Sequence, residues 1–274
     1  MNVTTDGQTI NLDIEQAMQQ GNLTVHYQPI FDIQEPTPML VQAEALIRWD
    51  HPELGLFSPS DLNIWEASDP IAMHLTDYAL QRVAEQHFVW ERENIHLPVS
   101  VNLSGAMLND SKFPERLTKL LAEHHVDHQL LYLEVGEPRP AILSNLALGI
   151  LARLRHDGYH TVLDNFACNT IFLRELTQIS WAGLKIDAGL IRDFDEDENV
   201  RRLVRGIIHL AHDLNMPAYA LSVETPQSAS ILRKLGCDKA QGWFYGEAMS
   251  ASDLTKLLMG QCGTADHGQA LEKA

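Results

Sequence analysis

The sequence predicts an α/β chain closed into a TIM-like (β/α)8 barrel, with a first strand antiparallel to the others. Three observations carry that expectation. Strand-like and helix-like segments alternate along most of the 274 residues, a length close to the ~250 of a single barrel. The strand-like segments number about eight, which favours closure over an open sheet. Groups able to do chemistry recur where successive apolar runs end: Glu44 before Ala45-Leu46-Ile47-Arg48, Asn102 after Val99-Ser100-Val101, Glu134 after Leu130 to Leu133, Asp164 after Thr161-Val162-Leu163, and Lys185 and Asp187 after Ala182-Gly183-Leu184. Parallel strands side by side would bring those ends to one face. Oxygen ligands and one ammonium gathered there suit a hard divalent cation and a phosphate ester.

The elements follow in order. Residues 12–20 read as a short helix capped by Asn11, with Ile14 and Ala17-Met18 on one face. Residues 23–31 read as a strand whose later part, from Pro29, belongs at an edge or a strand end. A Pro-bearing turn at 34–38 returns the chain into a strand at 40–48. So short a connection holds no crossover helix, so these two strands are antiparallel. Alternation then sets in: helix 70–94, strand 99–103, helix 113–124, strand 130–135, helix 140–157 and strand 160–164. A loop with a short helix leads to strand 181–186, helix 197–213, strand 217–223, helix 226–235, a short strand near 238–241 and a last helix at 251–259. Residues 1–259 thus form one domain, and the polar, small-residue-rich stretch 260–274 reads as a disordered tail.

Composition narrows the function. Hydrophobic residues make up 45% of the chain, and no apolar run approaches the length of a bilayer span. The first residues carry no secretory signal, and three cysteines without metal-binding spacing fit a reducing cytoplasm. The formal net charge of −17 opposes nucleic acid and anionic membrane alike. A small phosphorylated ligand would need local cations, for which Arg48 and Lys185 are the candidates. Thirteen histidines show no spacing that closes a metal site, and Cys168 reads as a plain thiol.

Several motifs, in order and over roughly residues 12–258, resemble the EAL domain, the bacterial module that hydrolyses cyclic di-GMP to linear pGpG. They are Tyr27-Gln28-Pro29-Ile30, Glu44-Ala45-Leu46-Ile47-Arg48-Trp49, Val101-Asn102-Leu103-Ser104, Leu133-Glu134 with Glu137, Lys185-Ile186-Asp187, and Gly236-Cys237-Asp238 with Gln241-Gly242. The resemblance implies an EAL-type barrel with an antiparallel first strand. It implies a Mg²⁺ or Mn²⁺ site at Glu44, Asn102, Glu134 and Asp164, and Lys185 beside the attacking water, with Lys185 and Glu44 the catalytic pair of an active enzyme. Arg48 would hold a ligand phosphate; Gln28, Leu46, Asp187, Glu224 and Gln241 complete the ligand-binding set. Glu137 would anchor the loop that joins the metal site to a dimer interface, which allows a homodimer.

The departures from that pattern bear on turnover. Where the family has two aspartates, then Phe-Gly, a small residue and Gly, this chain reads Asp164-Asn165-Phe166-Ala167-Cys168-Asn169. Asn165 brings an amide where the resemblance implies a charged ligand of a second metal. Ala167 and Asn169 replace glycines, so another loop shape is expected. Ala220-Leu221-Ser222-Val223-Glu224-Thr225 replaces Ala-Glu-Gly-Val-Glu-Thr, which puts Leu221 where an acid is expected. Ala248 stands for a proline of the closing motif. Three readings follow: a degenerate regulator that binds cyclic di-GMP or a protein partner, a surviving phosphodiesterase, or an interaction module indifferent to nucleotide. The residues taken singly leave plainer roles open, with Arg48 paired to Asp50, Asn102 capping a turn, and Glu224 favouring the start of the next helix.

Overall fold

The computed structural model describes residues 2–5, 8–11, 14–51, 55–58, 70–136, 144–167, 176–177 and 179–264. Eight strands close a barrel: β3 (Leu23–Asp32), β4 (Met39–His51), β6 (Val99–Leu103), β7 (Leu131–Gly136), β8 (His160–Phe166), β9 (Gly183–Ile186), β10 (Ala218–Ala220) and β11 (Lys239–Ala240). Strands β4 and β6 to β11 lie side by side in chain order and parallel. Strand β3 closes the ring, antiparallel to β4 on one side and β11 on the other. The antiparallel first strand read from the short 34–38 connection is therefore present. Two elements escaped the pattern: a hairpin of β1 (Asn2–Thr5) with β2 (Gln8–Asn11), and β5 (Gly55–Phe57), which adds to the outer edge of β4.

Helices α1 (Ile14–Gln20), α2 (Pro70–Arg92), α3 (Phe113–Glu123), α4 (Asn145–His156), α5 (Ala188–Asp193), α6 (Glu198–Asp213), α7 (Pro226–Lys234) and α8 (Ala251–Thr264) accompany the strands. Their starts follow capping chemistry. Ser144, Asp197 and Thr225 accept hydrogen bonds from first-turn amides of α4, α6 and α7. In α6 the buried Val204, Ile207, Ile208 and Ala211 recur at helical spacing and face the barrel. Residues 43, 45, 47 and 49 of β4 point outward into that helix-facing core, while 42 and 44 are buried polar groups of the interior.

Two expectations need correction and a third holds in part. Pro29 lies inside β3 rather than at its end, but on a stretch whose N–H side is an unpaired edge. Tyr27, two residues earlier, exchanges hydrogen bonds with Met249 on the side away from β4. The missing N–H of Pro29 faces that same side, where β11 pairs only with Phe31 and Asp32, so no ladder bond is lost. Strand β10 ends at Ala220 instead of 223 because Ser222 turns to a φ of 55°. The last helix continues to Thr264, past the residue-259 boundary; residues 265–274 lie outside the described residues.

One buried titratable group sits in the wall. His87 of α2 is 4% exposed, its Nε2 has no hydrogen-bond partner among the described residues, and its ring packs edge-on to Trp90. Burial pushes its pKa down to about 4. The unfolded chain takes up this proton near pH 6.5, the folded chain only near pH 4. His87 therefore leaves stability untouched above pH 6.5 and erodes it as pH falls toward 4, by up to about 3 kcal/mol. Denaturant titrations at pH 7 and pH 4.5 should show a smaller acid loss in His87→Leu than in the unaltered chain. An equal loss in both would remove His87 as the cause.

Candidate active site

The C-terminal ends of the strands gather the groups expected there. In-register pairing sets Gln28 opposite Glu44, Asn102 beside Glu134, and Gly136 beside Asp164. At the centre stands Lys185, 1% exposed. Its ammonium lies 2.7 Å from Glu44 Oε2 and forms an ion pair with Glu134 Oε1. Asn102 Nδ2 donates to Glu44 Oε1 (2.8 Å), and Gln241 Nε2 donates to Glu44 Oε2 (2.9 Å) and Gln28 Oε1 (2.8 Å). Gln28 Nε2 donates in turn to the Gly246 carbonyl.

The electrostatics follow from burial and crowding. Burial raises the Glu44 pKa, but the Lys185 charge, with hydrogen bonds from Lys185, Gln241 and Asn102, outweighs it and holds Glu44 below the ordinary carboxylate range. Glu134 is pushed up, first by burial and then by the Glu44 charge, more than Lys185 pulls it down. Asp164 is also raised, because burial and the Glu44 charge exceed the pull of Lys185. Burial alone would lower Lys185, yet Glu134, Glu44 and Asp164 together raise it. The ammonium therefore stays charged, while the carboxylates compete for compensation.

Among the described residues no three His, Cys, Asp or Glu side chains form a closed cation cage. Glu44 and Glu134 turn to the ammonium instead. The donor set nevertheless fits one hard cation. Among the described residues Glu134 Oε2 is buried without a hydrogen-bond donor, and Asn102 and Asp164 add oxygens from neighbouring strands.

Asn165 follows Asp164 at a register shift between β8 and β9, at a φ of 54°, and its amide Nδ2 donates to Asp164 Oδ2. Ala167 takes a φ of 71°, the conformation a glycine would favour. The backbone at 167 thus holds a left-handed turn despite the side chain, and residues 168–175 of that loop lie outside the described residues. Asn169, Cys168 and Glu137 lie outside the described residues. Leu221 is half-buried and follows Ala220, whose carbonyl accepts from the Gln241 backbone N–H. Its apolar side chain follows the strand end where the family pattern has a carboxylate.

The remaining ligand candidates lie further out. Leu46 and Arg48 continue the Glu44 face of β4 and are half-buried. Arg48 Nη1 donates to the Ile47 carbonyl. Asp187 caps α5 through Oδ1 and the Gly189 N–H. Glu224 is exposed, and Thr225 rather than Glu224 caps α7. Three residues at this end escaped notice in the sequence. His26 pairs with Leu46 across β3 and β4. Thr76 of α2 donates to the Asn102 carbonyl and accepts from the Ser104 N–H, which fixes the Asn102 strand end. Ser222 holds a positive φ so that Val223 can bond Gln241 and Phe244. A Cβ at Gly242 would come within 2.2 Å of the Val223 backbone, so only glycine permits this approach. The glycine that the family pattern carries at position 222 was the available signal for Ser222; nothing local marks His26 or Thr76.

Comparison with known proteins places this arrangement. A family model described as EAL domain matches residues 11–248. The bifunctional diguanylate cyclase/cyclic di-GMP phosphodiesterase MucR of Pseudomonas aeruginosa is 28% identical over 243 residues, 88% of this chain and 35% of that protein. The cyclic di-GMP phosphodiesterase PdeR of Escherichia coli is 27% identical over 242 residues, 88% of this chain and 36% of that protein. The chain thus spans about a third of the length of these relatives. Among solved structures, the c-di-GMP complex of the PaMucR phosphodiesterase superposes with a TM-score of 0.81 at 28% identity, covering 88% of this chain and 98% of that one.

Two stability measurements probe the site. Lys185→Met would leave Glu44 and Glu134 buried without their counter-charge and should lower unfolding free energy by about 3–5 kcal/mol. The double variant Lys185→Met/Glu134→Gln should recover part of that loss; no recovery would mean that the ammonium does not hold Glu134. At the strained positions, Ala167→Gly and Ser222→Gly should each stabilise the fold by about 1 kcal/mol in the same titrations, and destabilisation by either would show that its positive φ is not strained.

Proposed function

Because the chain belongs to the EAL domain family, we propose that it serves cyclic di-GMP signalling as a receptor that binds the dinucleotide with little or no hydrolysis. One observation carries the reading: the charge at the strand ends. With a cation bound, Glu44, Glu134 and Asp164 would bring three negative charges against the one positive charge of Lys185. The remainder balances a single divalent cation. A second cation would need further acids, and Asn165 and Leu221 stand where the family pattern has them. The Asn165 amide moreover turns a donor toward Asp164, which occupies an oxygen that a second ion would use.

Binding is the better supported half. Gln28, held between Gln241 and the Gly246 carbonyl, has a fixed orientation opposite Glu44. Arg48 is half-buried on the same face of β4 as Glu44 and supplies a planar fork for a phosphate. Its positive charge is placed where a chain of net charge −17 most needs one. Bound Mg²⁺ or Mn²⁺ would polarise the phosphate ester and acidify a water, and Lys185 would orient that water. With one such ion, only one side of an in-line displacement is stabilised.

Residual turnover is the second reading, favoured by the survival of Glu44, Asn102, Glu134, Asp164 and Lys185 around one centre. Calorimetric titration with cyclic di-GMP, with and without Mn²⁺, and chromatography for linear pGpG separate the two. Micromolar binding without product is expected from the unaltered chain. Asn165→Asp/Leu221→Glu should bind Mn²⁺ more tightly and raise product formation by at least about tenfold. Product release by the unaltered chain at about 1 s⁻¹ or faster, an ordinary enzymatic rate, would overturn the receptor reading.

A further inference from the structure

We propose that the opposite, N-terminal mouth of the barrel is a second binding site, for a small tetrahedral oxyanion held between Lys239, His160, Tyr132 and the buried amide of Gln42. These groups come from four different strands and sit early in each of the parallel ones. They are the interior layer below the Lys185 cluster, separated from it by Tyr219, whose strand position pairs with Lys185 on one side and Lys239 on the other.

The Lys239 ammonium is placed for a ligand. It donates to Tyr219 OH (3.0 Å) and Gln42 Oε1 (3.4 Å) and lies 4.7 Å from the Tyr219 ring centre. Two of its three N–H bonds are thereby used, and among the described residues no carboxylate lies within ion-pair distance. The two nearby acids are engaged elsewhere. Asp238 accepts from Gln34, His212 and the Ala218 N–H, and Asp32 accepts from the Gln34 N–H.

A second group points the same way. Gln42 is 1% exposed, and among the described residues its Nε2 has no partner, although its Oε1 accepts from both Lys239 and Tyr219. A buried amide donor left unpaired costs on the order of 1–3 kcal/mol unless something accepts from it. His160 and Tyr132 complete the rim. They pair across β7 and β8, stack with ring centres 4.5 Å apart, and are both half-buried.

The Lys239 ammonium acts on the His160 ring. Burial lowers the His160 pKa, and the charges of Arg155, His128 and Lys239 lower it further, against a smaller opposing effect of Asp127. Lys239 is lowered by burial against the pull of Asp32 and Asp238. An anion seated here would relieve all of this at once, with the imidazole and phenol edges as further donors. Donors converging from four strands suit a tetrahedral group better than a flat one.

The test is titration of the full chain with inorganic phosphate against sodium chloride of equal ionic strength. The His160 imidazole is followed by NMR, and thermal unfolding is read in parallel. Phosphate should raise the His160 pKa and the unfolding midpoint, and Lys239→Gln should abolish both responses while cyclic di-GMP binding at the other end persists. An unmoved His160 in the unaltered chain, or the same response in Lys239→Gln, would overturn the site. Should Lys239→Gln fail to fold, Tyr132→Phe removes only a half-buried hydroxyl and should weaken phosphate binding several-fold; unchanged affinity there would equally overturn it.

Discussion

A positive charge with 1% exposure at the centre of a barrel is the constraint on which this structure turns. Lys185 cannot remain ionised there unless acids meet it, and Glu44 arrives from the opposite wall and Glu134 from two strands away to do so. Those acids depend on it in return: burial raises Glu134 and Asp164 even with the ammonium present. Asn102 and Gln241 then fix the remaining lone pairs of Glu44, and Thr76 fixes the backbone that carries Asn102. The proposed binding groups and the stability of the fold therefore draw on the same few side chains. The cluster is self-consistent as an ion network, and the orphan oxygen of Glu134 leaves it able to accept a cation.

The strand ends around this cluster are held in strained backbone. Asn165, Ala167 and Ser222 all take positive φ, and only the first belongs to a residue type that visits that region readily. Each lies at or just beyond the end of a strand that delivers a site position: β8 for Asp164, β10 for Leu221. The neighbouring segment shows what over-determines the strain at Ser222. Val223 is clamped by the closing loop, with its N–H on the Gln241 carbonyl and its carbonyl on the Phe244 N–H. Gly242 lets the two backbones touch. The surrounding hydrogen bonds thus dictate the turn, and the side chain that happens to stand there accommodates it.

The barrel has two polar ends of opposite character. Its C-terminal end is acidic around one lysine. Its N-terminal end carries the Lys239 ammonium beside the Gln42 amide and the Tyr219 hydroxyl, with the His160 imidazole held below its ordinary range by burial. Tyr219 occupies the layer between and is felt by both, since Lys185 and Glu134 as well as Tyr132 and Asp238 act on its phenol after burial has raised it. Gly183 leaves space for the Tyr219 ring: a Cβ there would come within 2.5 Å of it. The interior is thus packed through its middle and polar at both ends, as alternating layers from neighbouring strands require.

Much of this was legible in the sequence, because periodicity and strand-end chemistry are local signals. The parallel alternation, the antiparallel first strand and the convergence of Glu44, Glu134 and Lys185 needed only the order of apolar runs and the short 34–38 turn. Other features had no local signal. Pro29 continues a strand because of which side its missing N–H faces, and that depends on where β11 stops. Strand β10 ends early because of bonds made to residues 241 and 244. His26 and Thr76 join the site only through neighbours on another strand or helix. Pattern along the chain was enough for the barrel and for the kinds of group that meet at its strand ends, since burial repeats with the period of each element. Which oxygens face the ammonium, which stay unpaired and which turns are strained emerged only in the folded chain, because those depend on distances between segments far apart in the sequence.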